Sequence, residues 1–173
     1  MTFSGLREAA PCVVVSTGTT AEVTARLAQA GPMLAQALQL PWQPALEPLQ
    51  DPDPALAALA QGAAGPGLAA LGVDPGLALA DGQCWAQALG AWRQPTLLLL
   101  EADQLHTGAA AATCALLRQH GVPLRGLIQW GEPWQPEQRR REGLPWLGAL
   151  GPAGMAEGVD MRLALALQGA AAA

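Results

Sequence analysis

The stretch Cys12-Val13-Val14-Val15-Ser16-Thr17-Gly18-Thr19-Thr20-Ala21-Glu22-Val23-Thr24 falls into three pieces. Cys12 to Val15 is a compact β-branched run, suited to a strand buried on both faces because branched side chains pack well on a pleated surface. Ser16 to Thr20 form a small polar loop. A helical stretch follows from Ala21 to about Ala30, where Gly31-Pro32 predicts a stop. A buried strand leading through a short loop into a helix is the opening unit of a parallel sheet wrapped by helices.

The same alternation continues downstream. Met33 to Leu40 reads as a further helical turn or two. Pro41-Trp42-Gln43-Pro44 excludes a regular helix or an interior strand, since each proline removes a backbone donor. Asp53-Pro54-Ala55 opens a short alanine helix to about Gln61, with a plausible cap and a proline in its first turn. Leu68 to Val73 reads as a poor strand, Asp74-Pro75-Gly76 as a turn, and Gln83 to Trp92 as a helix with Trp85 and Trp92 on one face. Thr96-Leu97-Leu98-Leu99-Leu100 is the clearest buried strand. A polar loop, Glu101 to Leu105, and a helix from Thr107 to His120 follow, with Gly121 as its end signal. Leu124 to Gln129 reads as a strand, Pro136 to Glu142 as a short charged helix, Leu144 to Gly148 as a final edge strand or extended turn and Ala156 to Gln168 as a closing helix. The expectation is one α/β domain over 1–169, three-layered with a mainly parallel sheet, and a disordered tail over 170–173.

Composition removes whole classes of chemistry. Among 173 residues there is no Lys, so the nine cationic side chains are all Arg. Schiff bases, Ser-Lys dyads and the phosphate loop with its essential lysine all need the missing residue type. Nine Arg against 14 Asp+Glu give a net charge of −5, which argues against a nucleic-acid footprint or an anionic membrane surface. No run is long and apolar enough for a membrane span, and the residues before the first strand do not read as a basic segment followed by an apolar one, so an untargeted chain is expected. Cys12, Cys84 and Cys114 are odd in number and widely spaced, so free and mostly buried thiols are expected, in a cytoplasmic protein without a metal site.

One family shares several of these segments. The strand Thr96 to Leu100, the run Leu116-Leu117-Arg118-Gln119-His120-Gly121-Val122-Pro123-Leu124-Arg125-Gly126-Leu127-Ile128, then Gly131-Glu132-Pro133 and Leu144-Pro145-Trp146-Leu147-Gly148 together resemble the C-terminal half of dethiobiotin synthetase. That family is a compact relative of the ParA/MinD-type P-loop ATPases, so the resemblance implies a shortened P-loop NTPase-like fold. It also implies a phosphate loop at Ser16 to Thr24, where Thr17, Gly18, Thr19, Thr20 and Thr24 stand in the frame of the family's cofactor-binding residues. The lysine of that loop falls on Val23 and the glycine before it on Glu22. The family's Trp-Lys-Pro stretch falls on Trp42-Gln43-Pro44, its acid-bearing substrate loop near Asp74, and its adenine-reading Asn on Trp130. Trp42, Gln43, Asp74 and Trp130 are thus the expected remnant of a substrate and nucleotide pocket.

Losing both lysines while keeping the fold elements points to a degenerate Walker A loop and a pseudoenzyme. The expected role is non-enzymatic binding or scaffolding, with no cofactor, through a homodimer or another protein partner. Two alternatives stay open: an active, divergent dethiobiotin synthetase using Mg-ATP in biotin biosynthesis, and a small-molecule-binding domain reusing the vacated site. Trp42, Trp130, Trp134 and Trp146 are expected around that site. Glu101, Asp103 and His106 are read as a helix-capping cluster or an acid/base pair, and Arg139-Arg140-Arg141 as a solvated helix.

Overall fold

The structure, a computed structural model, describes residues 11–46, 51–62, 65–151 and 156–157. The strands are β1 (Cys12–Val15), β2 (Trp42–Leu46), β3 (Leu68–Leu71), β4 (Thr96–Glu101), β5 (Leu124–Trp130), β6 (Trp146–Leu150) and β7 (Ala156–Glu157). They form one sheet in the order β2-β3-β1-β4-β5-β6-β7. β1 to β6 pair in parallel, and the two-residue β7 pairs antiparallel with β6. Parallel strands are covered on both faces, which is why β1, β3 and β4 read as unbroken apolar runs. Every residue of these three is buried except Glu101. The α/β class and the mainly parallel sheet are as the sequence implies.

The helices are α1 (Thr20–Leu38), α2 (Pro52–Gly62), α3 (Trp85–Ala91), α4 (Ala102–Leu105), α5 (Ala109–Gln119) and α6 (Pro136–Arg141). Crossovers between parallel strands are right-handed, so the direction of each step fixes the face its helix takes. The chain steps one way from β1 to β2, and the other way at every later step up to β6. Accordingly α1 covers one face, where Val23, Leu27, Leu34 and Leu38 pack with Cys12, Val14, Leu97, Leu99 and Ile128. On the other face Leu56 and Leu59 of α2, Trp85 and Leu89 of α3 and Leu117 of α5 pack with Val13, Val15, Leu98 and Leu100. The reversal of direction falls between β1 and β4. Open α/β sheets bind ligands in the crevice beyond the carboxyl ends of such a strand pair.

Four local expectations are corrected. Gly31-Pro32 does not stop the first helix: α1 runs through Pro32 to Leu38, with Gln39 in the left-handed conformation as its cap. The reason is tertiary, because a Cβ on Gly31 would lie inside the Trp42 ring, so glycine makes room for that indole on the helix surface. Glu101 to Leu105 is not a plain loop, since Ala102–Leu105 form a helical turn. The stretch from Leu144 yields a strand shifted to Trp146–Leu150, and it is not the edge, because β7 pairs beyond it. At Ala156 the expected closing helix gives way to β7, and its remainder, with the tail 170–173, lies outside the described residues. The proline-rich segment does supply a strand, β2, on the sheet edge, where Pro44 is tolerated.

Candidate functional site

The site is the β1–α1 loop, Ser16 to Thr19, at the carboxyl end of β1 and beside the end of β4. A loop entering a helix here leaves unsatisfied N–H groups pointing outward, the elements of an anion seat. In this chain two carboxylates take that seat. Asp74, carried just beyond β3, accepts the Thr17 hydroxyl and, at 3.0 Å, the Gly18 amide through the same oxygen, Oδ2. Glu22, in the first turn of α1, accepts the Thr19 amide at 2.8 Å and the Thr19 hydroxyl at 2.7 Å through Oε2. The Glu22 amide in turn faces Thr19 Oγ1 at 3.4 Å, completing a capping box.

Thr19 thus explains itself locally, as a helix cap. The bonds it gives hold the Glu22 carboxyl below the usual carboxylate range, with Arg26 adding a smaller pull in the same direction. A group with its folded value lowered lends its support above the ordinary pH of carboxylate titration and loses it only as pH falls through the lowered value. The capping box is therefore intact at neutral pH.

Beneath the loop lies a buried cation. Arg26 projects from α1, with its Nε 2.9 Å from Glu101 Oε2 and its Nη1 2.9 Å from Ser16 Oγ and 3.0 Å from the Thr17 carbonyl. Its side chain is 4% exposed. Gln104 Nε2 donates to the same Thr17 carbonyl at 2.5 Å, while its Oε1 accepts from the Glu101 amide at 3.0 Å. Ser16 Oγ donates to the Leu99 carbonyl at 2.7 Å. The crevice at the direction reversal between β1 and β4 is therefore spanned by side chains that belong to the chain itself. The guanidinium is spent on internal acceptors and does not stand in for a phosphate-binding lysine.

The expected site residues divide into two groups. Thr17, Gly18, Thr19 and Asp74 come together as described, and Thr20 begins α1, exposed beside them. Thr24 points back to donate to the Gly72 carbonyl at 3.0 Å. Val23, which stands where the resemblance puts the lysine, is fully buried in the core under α1. Trp42 and Gln43, by contrast, stand at the start of β2, in register with Leu68 and Ala69 at the start of β3. That is the amino end of the sheet, opposite the loop. Gln43 lines a groove of about 360 Å³ between β2 and α2, with Pro44, Leu46, Ala55, Ala58 and Leu59. Trp130 ends β5 but is buried in the α1-side core.

The tryptophans accordingly do not ring one pocket. Trp42 and Trp130 pack on the α1 side, and Trp146 packs on the opposite core and donates to Glu142 at 2.7 Å. The residues read as a helix-capping cluster or an acid/base pair divide: Glu101 is the N-cap of α4 and pairs with Arg26, and the exposed His106 faces Glu132 at 3.2 Å. His106 also borders a cleft of about 410 Å³ with Thr107, Gln138, Glu142 and Leu144. Arg139 is not solvated. It is buried, 2.9 Å from Gln129 Oε1, bonded to Glu142 and stacked 4.8 Å over the Trp146 ring, while Arg140 and Arg141 are exposed, the former paired with Glu137.

Sequence reasoning missed Arg26, Gln104 and Glu101 as the loop's supports. Only the position of Arg26 on an otherwise apolar helix stripe between Val23 and Leu27 hints at a buried, paired cation. Among the described residues, no group of three or more His, Cys, Asp or Glu side chains could hold a metal ion, and no helix is long and apolar enough to cross a membrane. Cys12, Cys84 and Cys114 are free thiols, the first and last buried. No model of a known protein family matches the chain, and no curated protein matches it either.

Proposed function

We propose that this chain is a degenerate relative of dethiobiotin synthetase, with a shortened P-loop NTPase-like fold, that serves as a non-enzymatic binding or scaffolding protein. It works without Mg-ATP, and its partner is a second copy of itself or another protein. The observation that carries this reading is the seating of Asp74 Oδ2 on the Thr17 hydroxyl and the Gly18 amide. A phosphate brought to those donors meets two carboxylates, Asp74 and Glu22, at hydrogen-bond distance from the loop, and no lysine exists to offset them.

The parallel sheet supports the same reading, since it keeps the loop at the reversal of strand order while the groups around it are spent on one another. The expected experiment is complementation. A bacterial biotin auxotroph lacking dethiobiotin synthetase and expressing this chain is expected not to grow without biotin. Growth would overturn the reading in favour of a divergent ATP-dependent ligase.

A further inference from the structure

We infer that Asp74 is a latch that couples the β1–α1 loop to the hairpin between β3 and α3, so that the two open together. The inference rests on the reading of the loop as closed by its own carboxylates, and extends it to how that closure is kept. The connection Gly72 to Cys84 is long for a link between a strand and a helix, a length at which loops usually carry a job of their own. Its distal part is self-contained. The Leu79 amide donates to the Gln83 carbonyl at 2.7 Å, the Gly82 amide to the Leu79 carbonyl at 2.9 Å, and Ala78 bridges Cys84. From Gly76 to Gln83 every residue is exposed except the half-buried Leu79.

Asp74 stands at the root of this hairpin and uses its two oxygens differently. Oδ1 accepts the Gly76 amide at 2.8 Å and fixes the hairpin's own first turn, which the Leu77 amide closes on the Asp74 carbonyl at 3.0 Å. Oδ2 reaches across to Thr17 and Gly18. One carboxylate therefore sets the hairpin's first turn and ties that turn to the β1–α1 loop. The root has a further polar link, the Ala86 amide donating to the Pro75 carbonyl at 2.8 Å, which holds it to α3; hydrogen bonds to a charged acceptor contribute more than such neutral ones, so the Asp74 tie is the stronger of the two. Regions of few apolar contacts and exposed backbone bonds open locally, well below the cost of global unfolding. Releasing Oδ2 frees the Gly18 amide and the hairpin as a unit.

Amide hydrogen exchange, read residue by residue on the full chain, tests this. In Asp74→Ala the amides of Gly18, Leu79 and Gly82 are expected to exchange about tenfold faster or more, together, while those of Val13 and Val14 keep the wild-type rate. Asp74→Asn, which has one acceptor oxygen and turns an NH2 donor toward the other set of donors, can hold the turn at Gly76 or the tie to Gly18 but not both, and is expected to stay closer to Asp74→Ala than to the wild type. Thr17→Val, which keeps the turn at Gly76, guards against a fold defect in the alanine variant and is expected to raise exchange at the same three amides by a smaller factor. Acceleration at Gly18 alone, with Leu79 and Gly82 unchanged in both variants, would overturn the latch and leave the closed-loop reading intact. Nucleotide binding by the wild-type chain would overturn the closed-loop reading whatever the exchange pattern.

Discussion

The Asp74 carboxylate meets the Gly18 amide at 3.0 Å across 56 residues of sequence. That contact puts an anion of the chain where an anion from solution would otherwise sit. Everything else around the loop is arranged to keep it there: Glu22 on the next amide, Arg26 and Gln104 on the Thr17 carbonyl, and Ser16 on β4.

Arg26 is the strut of this arrangement, and its replacement has an ordered set of costs. Arg26→Ala removes a buried stem and three bonds, and is expected to lower unfolding free energy by about 2 to 4 kcal/mol in denaturant titration. Arg26→Met keeps the stem and is expected to lose less than half of that. The groups it strands are not orphaned: Glu101 is 43% exposed, Gln104 still serves Thr17, and Ser16 still donates to Leu99. Arg26→Lys is expected to fall between the two, because a single ammonium cannot copy the guanidinium fork.

The helix that carries Arg26 shows where sequence ends and packing begins. Thr96 to Leu100 and Cys12 to Val15 were legible as strands because four consecutive apolar residues leave few other places to go. Gly31-Pro32 was misleading because the local signal for a stop is outweighed by Trp42 docking on the glycine, a contact no local pattern reveals. The Thr19–Glu22 capping box was legible in principle, from a three-residue spacing ahead of an apolar stripe, although the residues read only as a polar loop and a helix start. The partnership of Thr17 with Asp74 was not, since two loops 57 residues apart meet only once β1 and β3 have paired.

Gly31 and Pro32 therefore respond in opposite senses. Gly31→Ala places a methyl group in the Trp42 ring and is expected to destabilise by about 1 to 3 kcal/mol, with a shift in the tryptophan emission. Pro32→Ala restores a backbone donor within α1 and is expected to leave the melting temperature unchanged or raise it.

Cys12 reports on the core. Full burial pushes its thiol up to about 12, with Arg125 pulling weakly the other way. In the unfolded chain the thiol ionises near the ordinary value of 9.0. Below that value neither state releases the proton and stability is unaffected. Above it the unfolded chain ionises first, so stability is expected to fall by about 1 kcal/mol per pH unit until the folded thiol also titrates. Alkylation at pH 8 followed by peptide mapping is expected to leave Cys12 unmodified in the native protein and to label it fully in denaturant. Modification of native Cys12 at the unfolded rate would contradict its burial.

The closed loop meets its most direct test in isothermal titration of the full chain with Mg-ATP. Closure by Asp74 and Glu22, in a chain without lysine, predicts no binding heat up to millimolar nucleotide. A saturable isotherm with micromolar affinity would contradict it.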